Sequence, residues 1–129
     1  MKKRILVVDD EPGFTHVVRL TLERIGAYEV RELNRATEVL RAAREFKPDL
    51  ILLDVLMPGA DGSEVAAQIQ GDAKLRDTPL VFFTALVSSE AVCAGSFGLG
   101  RRHYLPKPIK VRQLIDCIER VTAELPMGC

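Results

Sequence analysis

The chain has 129 residues, 47% of them hydrophobic and 28% charged, which are the proportions of one globular domain large enough to bury a core. Its 18 basic and 18 acidic residues cancel, which argues against direct nucleic-acid binding by the body of the domain. No apolar run is long enough for a membrane span or a signal peptide, and the three widely spaced cysteines favour reduced thiols, so we expect a cytoplasmic protein.

Apolar runs along the chain predict β-strands. They lie at 5–8, 28–32, 50–53, 79–83 and 103–105. The run at 50–53 consists of large aliphatic residues that lead directly into Asp54, which is typical of a parallel strand buried on both faces. The run at 28–32 alternates apolar with charged residues, as a half-exposed edge strand does.

Helical patterns follow the predicted strands. Their apolar stripes are Phe14, Val17, Val18, Leu22 and Ile25 in the first helix, Ala36, Val39, Leu40, Ala43 and Phe46 in the second, Val65, Ala66 and Ile69 in the third, and Val111, Leu114, Ile115, Ile118 and Val121 in the last. Asn34 is predicted to cap the second helix. A fourth helix, which Ser88 or Ser89 can cap, is weakly patterned. Five strands alternating with five helices predict an α/β fold with a doubly wound parallel sheet.

Residues able to carry chemistry stand at the carboxyl ends of the predicted strands. Asp9 and Asp10 follow the first strand, Asp54 the third, Thr84 and Ala85 the fourth, and Lys107 the fifth. Because these ends meet at one edge of a parallel sheet, we expect three carboxylates, a hydroxyl and an ammonium to converge. Clustered carboxylates are costly without a cation, and Mg²⁺ prefers such oxygen ligands. The set therefore predicts a phosphoryl acceptor at Asp54 beside Mg²⁺.

The chain resembles the receiver domain of bacterial two-component response regulators over essentially its full length. The matching motifs are Asp9-Asp10, Asp54 followed by Met57-Pro58-Gly59, Thr84-Ala85 and Lys107-Pro108, each after its own strand. The resemblance implies a flavodoxin-like (βα)5 fold with strand order 2-1-3-4-5. It assigns residues 1–125 to the receiver domain and 126–129 to a tail or the start of a linker.

The resemblance also implies how phosphate is received and reported. Asp54 accepts it from a phosphohistidine on a sensor histidine kinase or phosphotransfer protein, and Thr84 and Lys107 bind the phosphoryl oxygens. Ala85 is small enough to leave room for the group. Tyr104 matches the switch aromatic, whose inward turn changes the surface of the fourth helix, fifth strand and fifth helix. A homodimer through that surface is a further expectation.

Metal ligation is implied in the same way. Asp10, Asp54 and the backbone carbonyl of Leu56 ligate Mg²⁺, and Asp9 acts through water. Leu56 and Leu86 are apolar where many members of the family have polar residues. Such side chains cannot orient an attacking water, so we expect a comparatively long-lived phosphoryl group on Asp54.

Two other classes of protein fit the sequence less well. A Mg²⁺-dependent phosphatase or phosphotransferase with an aspartyl-phosphate intermediate usually carries its nucleophile after the first strand and has a cap domain, for which no length remains. A phosphate-independent interaction module would not need this set of acidic, hydroxyl and lysine residues. We therefore expect a signalling switch that is not a turnover enzyme, either as a stand-alone regulator or as the receiver of a longer protein.

Overall fold

The computed structural model describes residues 2–54, 56–57, 60–84, 102–106 and 110–122. In chain order its elements are β1 (Lys3–Val8), α1 (Pro12–Ile25), β2 (Tyr28–Leu33), a 3₁₀ turn (Ala36–Glu38) leading into α2 (Val39–Phe46), β3 (Leu50–Asp54), β4 (Leu56–Met57), β5 (Ala60–Asp61), α3 (Gly62–Gln70), β6 (Leu80–Thr84), β7 (Arg102–Pro106) and α4 (Val111–Thr122). The predicted fourth helix and the tail at 126–129 lie outside the described residues.

Five of the strands form one sheet in the order β2-β1-β3-β6-β7, and every neighbouring pair in it is parallel. Since β6 and β7 are the predicted fourth and fifth strands, the predicted order 2-1-3-4-5 is confirmed. The short strands β4 and β5 pair antiparallel directly after β3, which the sequence did not predict. The edge position of β2 explains its alternation, because only one of its faces is buried.

Helices cover both faces of the sheet, as the doubly wound prediction required. Successive side chains of a strand point to opposite faces, so β1 supplies Ile5 and Val7 to one core and Leu6 and Val8 to the other. The first core packs against α1 and α4, and the second packs against α2 and α3. Both cores meet the central strands β1 and β3, whose apolar side chains from Ile5 to Val8 and from Leu50 to Leu53 are inaccessible to solvent.

The buried stripe of α1 is narrower than the sequence predicted. Val18 and Leu22 are buried, but Val17 is 61% exposed and Ile25 is 47% exposed. The sheet covers only one arc of the helix surface, and the fully buried Thr15 lies on that arc. Gly26 ends the helix as predicted, with a φ of 88° that a glycine adopts without strain.

Two further predictions about the helices were wrong. Asn34 does not cap the second helix, because the 3₁₀ turn begins after Arg35 and has no side-chain cap. The apolar stripe predicted for the last helix included Val111, but in α4 Val111 is exposed. Cys117 is buried instead, beside Leu114 and Ile118. Within the described residues, no helix is both long and apolar enough to cross a bilayer.

Candidate functional site

The central strands β1 and β3 bring three carboxylates together at their carboxyl ends. Val8 is the register partner of Leu53, so Asp9 and Asp54 continue neighbouring strands side by side. Asp9 is 0% exposed and Asp54 is 5% exposed, whereas Asp10 is exposed. One carboxylate oxygen from each of the three lies within 4.8 Å of the other two.

This donor set fits a hard divalent cation. Like charges at such separations repel, and two of the three carboxylates are held away from solvent that would screen them. A cation bound between the oxygens removes that repulsion. Oxygen-only ligation by one or two carboxylates is what Mg²⁺ favours, with its remaining positions left to water or phosphate.

The backbone around Asp9 is fixed by hydrogen bonds of three kinds. Its N–H donates to the carbonyl of Leu33 at 3.1 Å, which extends the pairing of β1 with β2 by one residue. Its carboxylate Oδ1 accepts the N–H of Glu11 at 3.0 Å, a turn that leads the chain into α1. Its carbonyl accepts a hydrogen bond from Nδ2 of Asn34 at 2.8 Å. Sequence reasoning missed this contact, since no local signal connects residues so far apart.

Behind this turn lies a chain of polar side chains. Nδ2 of Asn34 also donates to Oγ1 of Thr15 at 3.0 Å, and Oγ1 of Thr15 lies 3.0 Å from Oε1 of Glu32. The other oxygen of Glu32 lies 3.3 Å from Nδ1 of His16 and 3.4 Å from Nη1 of Arg19. Burial raises the pKa of Glu32, but its contacts with Thr15, His16 and Arg19 outweigh burial and lower that pKa. Glu32 is therefore an ionised acceptor at neutral pH.

Strand β6 lies next to β3 and supplies the next part of the same edge. Asp54 is the register partner of Phe83, so the backbone of Thr84 comes immediately after the level of Asp54. The ring of Phe83 packs against Phe14 of α1 with centroids 5.0 Å apart, which ties the start of α1 to the end of β6. The carboxyl end of β6 thus adjoins the acidic cluster.

The remaining predicted residues stay predictions. Thr84 lies in β6 and Tyr104 in β7, but their side chains are not described, and Ala85 and Lys107 lie outside the described residues. Leu56 begins β4 and is the register partner of Asp61, which fixes its backbone two residues after Asp54. That placement is compatible with a carbonyl ligand, although its side chain is also outside the described part of the chain.

Comparison with known proteins identifies relatives along most of the chain. The family model of the response regulator receiver domain matches residues 5–119. The DNA-binding response regulator MtrA of Mycolicibacterium smegmatis is 34% identical over 125 residues, which cover 97% of this chain and 51% of MtrA. The transcriptional regulatory protein ResD of Bacillus subtilis is 38% identical over 112 residues, which cover 87% of this chain and 45% of ResD. The chain spans about half the length of these curated relatives.

Solved structures confirm the flavodoxin-like fold. The chemotaxis protein CheY4 of Vibrio cholerae superposes with a TM-score of 0.81 at 29% identity, covering 94% of this chain and 99% of that one. The receiver domain of the sensor histidine kinase PA1611 of Pseudomonas aeruginosa, which has a magnesium ion coordinated in its active-site cleft, gives 0.79 at 26% identity, covering 95% and 99%. With the family model spanning both central strands and the acidic edge they form, the chain belongs to the response regulator receiver domains of two-component signalling.

Proposed function

We propose that the chain is a phosphorylation-controlled switch in which Asp54 accepts a phosphoryl group from a phosphohistidine of a sensor histidine kinase or phosphotransfer protein. The observation that carries the proposal is the cluster of three carboxylates within 4.8 Å at the ends of β1 and β3, in a chain of this family. Asp10, Asp54 and the Leu56 carbonyl would hold Mg²⁺, with Asp9 acting through water. When bound, that ion offsets the negative charge that would otherwise repel an incoming phosphoryl group.

Exposure favours Asp54 over Asp9 as the acceptor. Asp9 has no accessible surface. Asp54 keeps some accessible surface at the end of its strand. An exposed Asp10 is open to solvent as well, so the choice between Asp10 and Asp54 rests on the family motif.

Phosphoryl transfer at this site needs positioning more than covalent assistance. A carboxylate oxygen of Asp54 attacks phosphorus, the bond from phosphorus to the imidazole nitrogen breaks, and the histidine leaves with the bonding pair and takes a proton from solvent. Thr84 and Lys107 are assigned to the phosphoryl oxygens. Water later attacks phosphorus, the bond from phosphorus to the Asp54 oxygen breaks, and inorganic phosphate leaves, which returns the Asp54 carboxylate.

The proposed output is a changed protein surface. By the family's pattern the switch would involve Thr84 and Tyr104. It would alter the surface made by the predicted fourth helix, the fifth strand of the sheet (β7) and the last helix (α4). A kinase or phosphotransfer protein would bind at the unphosphorylated site, and a downstream partner or a second copy of the chain would bind the altered surface. Chromatography with light scattering before and after phosphorylation tests the homodimer.

The test of the acceptor is chemical. The protein is incubated with acetyl phosphate and Mg²⁺, and intact mass is expected to rise by one phosphoryl group, with no rise in EDTA. Borohydride reduction of the acyl phosphate should then convert residue 54, and no other acidic residue, to homoserine. Asp54→Asn should abolish the gain, whereas Asp116→Asn, an exposed carboxyl on α4, should retain it. A gain that survives Asp54→Asn, or homoserine at residue 10, would contradict the assignment.

A further inference from the structure

The amide of Asn34 reaches from the end of β2 to the segment that carries the acidic cluster. We propose that Asn34 is a positioning residue for the metal ligands: by holding the carbonyl of Asp9, it fixes how Asp9 and Asp10 present their carboxylates. The inference rests on the proposed Mg²⁺ site and adds to it a residue that belongs to none of the motifs of the family named above.

The carbonyl that Asn34 holds belongs to the peptide unit between Asp9 and Asp10. That unit is planar, so fixing its oxygen restricts ψ of Asp9 and φ of Asp10 together. The direction of the Asp10 side chain depends on that φ. The 2.8 Å hydrogen bond from Nδ2 of Asn34 therefore acts on both aspartates without touching either carboxylate.

The backbone pairing of β1 with β2 ends just before Asn34. Val8 is the register partner of Leu33, and the Asp9 N–H still donates to the Leu33 carbonyl. β2 ends at Leu33, one residue before Asn34. The Asn34 side chain supplies the donor to the Asp9 carbonyl, at the first residue past the strand.

Asn34 is itself held in one orientation. Its amide nitrogen has two hydrogens, one directed to the Asp9 carbonyl and the other to Oγ1 of Thr15 at 3.0 Å. Thr15 is fully buried, and its single hydroxyl hydrogen has two acceptors within reach, the Pro12 carbonyl at 3.1 Å and the ionised Glu32 at 3.0 Å. The hydrogen is best placed on Glu32, because a charged acceptor forms the stronger bond, and with either acceptor Oγ1 accepts the hydrogen bond from Asn34. The resulting direction of donation, from Asn34 to Thr15 to Glu32, leaves the nitrogen and not the oxygen of the amide facing Asp9.

A purely structural role is the alternative, and β2 offers a matched control. At its opposite end the Tyr28 hydroxyl donates to Oε2 of Glu119 at 2.6 Å, and Tyr28 is 2% exposed. Tyr28→Phe removes one hydrogen bond between β2 and α4, and Asn34→Ala removes two, one to the Asp9 carbonyl and one to Thr15 of α1. Both should lower the urea midpoint in EDTA, but only Asn34→Ala should change metal affinity.

The experiment measures Mn²⁺ binding to the whole chain by the loss of the free-ion electron paramagnetic resonance signal. Mn²⁺ is used because it takes the same oxygen ligands as Mg²⁺. We expect Asn34→Ala to raise the dissociation constant about tenfold, at the lower end of what loss of an outer partner costs at metal sites. Thr15→Val, which keeps the volume and leaves the bond between Asn34 and Asp9, should raise it by a smaller factor. Tyr28→Phe should leave it unchanged.

The outcomes separate this inference from the proposed function. A wild-type chain that binds no Mn²⁺ overturns the metal site itself and this inference with it. A wild type that binds, together with an Asn34→Ala variant of equal affinity and lower stability, overturns the positioning role alone. If Asn34→Ala does not fold, the Mn²⁺ affinity of Thr15→Val is the deciding measurement. A Mn²⁺ dissociation constant of Thr15→Val equal to that of the wild type overturns the inference.

Discussion

Removing the charge of Asp54 should make the metal-free protein more stable. Asp54→Asn keeps the size of a side chain that lies in a cluster whose carboxylate oxygens are within 4.8 Å of one another. At 4.8 Å, two unit charges repel by about 3.5 kcal/mol for an effective dielectric constant of about 20. Solvent screens the exposed Asp10 and so weakens the repulsion, and we therefore expect a net gain of about 1–2 kcal/mol in the free energy of unfolding.

Magnesium should reduce or reverse this difference. A ligand that binds only the folded state stabilises it, so excess Mg²⁺ should raise the free energy of unfolding of the wild type. The variant has lost a proposed ligand and should gain much less. Urea unfolding followed by circular dichroism, in EDTA and in excess Mg²⁺, measures all four values.

A matched substitution controls for the chemical change itself. Asp116→Asn alters an exposed helix position away from the cluster, and surface substitutions of this kind usually change stability by less than about 0.5 kcal/mol. The reasoning is refuted if Asp54→Asn is less stable than the wild type in EDTA, or if Mg²⁺ stabilises the two proteins equally.

Three further predictions concern pH, thiol reactivity and phosphoryl lifetime. The hydrogen bond from Arg44 lowers the pKa of Asp72, so this pair stabilises the fold above the ordinary carboxyl range and loses its effect as pH falls through the lowered pKa. Arg44→Gln should flatten the acid side of the stability profile measured by urea unfolding, and parallel profiles would contradict this. Burial raises the pKa of Cys117 to about 11, so iodoacetamide should modify the peptide that contains it only in denaturant, as read by mass spectrometry. Leu56→Asn or Leu86→Glu should shorten the phosphoryl lifetime severalfold, since a polar side chain can orient water, and unchanged decay of the phosphorylated mass would count against this.

The central strands were predictable because their signal is local. The residues from Leu50 to Leu53 are apolar because both faces of β3 are covered, and that requirement is visible in any window of the sequence. The alternation in β2 likewise follows from its edge position. The order of the strands, by contrast, came from resemblance to a family, since periodicity does not say which parallel strands are neighbours.

Predictions for the helix faces failed where apolar residues outnumber the places that the sheet can cover. Val17 and Ile25 have the spacing of a buried stripe, yet they lie beyond the arc of α1 that contacts the sheet. The arc includes Thr15 instead, a polar residue whose burial is possible because Asn34 and Glu32 satisfy its hydroxyl. A pattern of single residues cannot show such compensation, because it depends on partners from two other segments.

The acidic edge shows the same division between local and distant information. Each carboxylate could be located by its own strand end, but the carboxylates repel one another and do not hold themselves in place. Contacts that oppose that repulsion include the buried pairing of β1 with β3, the Glu11 N–H on Asp9 and the distant Asn34 amide. Because these bonds form on folding, they restrict the proposed ligands before any cation arrives, and binding need not supply all of the free energy of ordering them. A residue such as Asn34 can therefore affect metal affinity while remaining outside every motif that identifies the site.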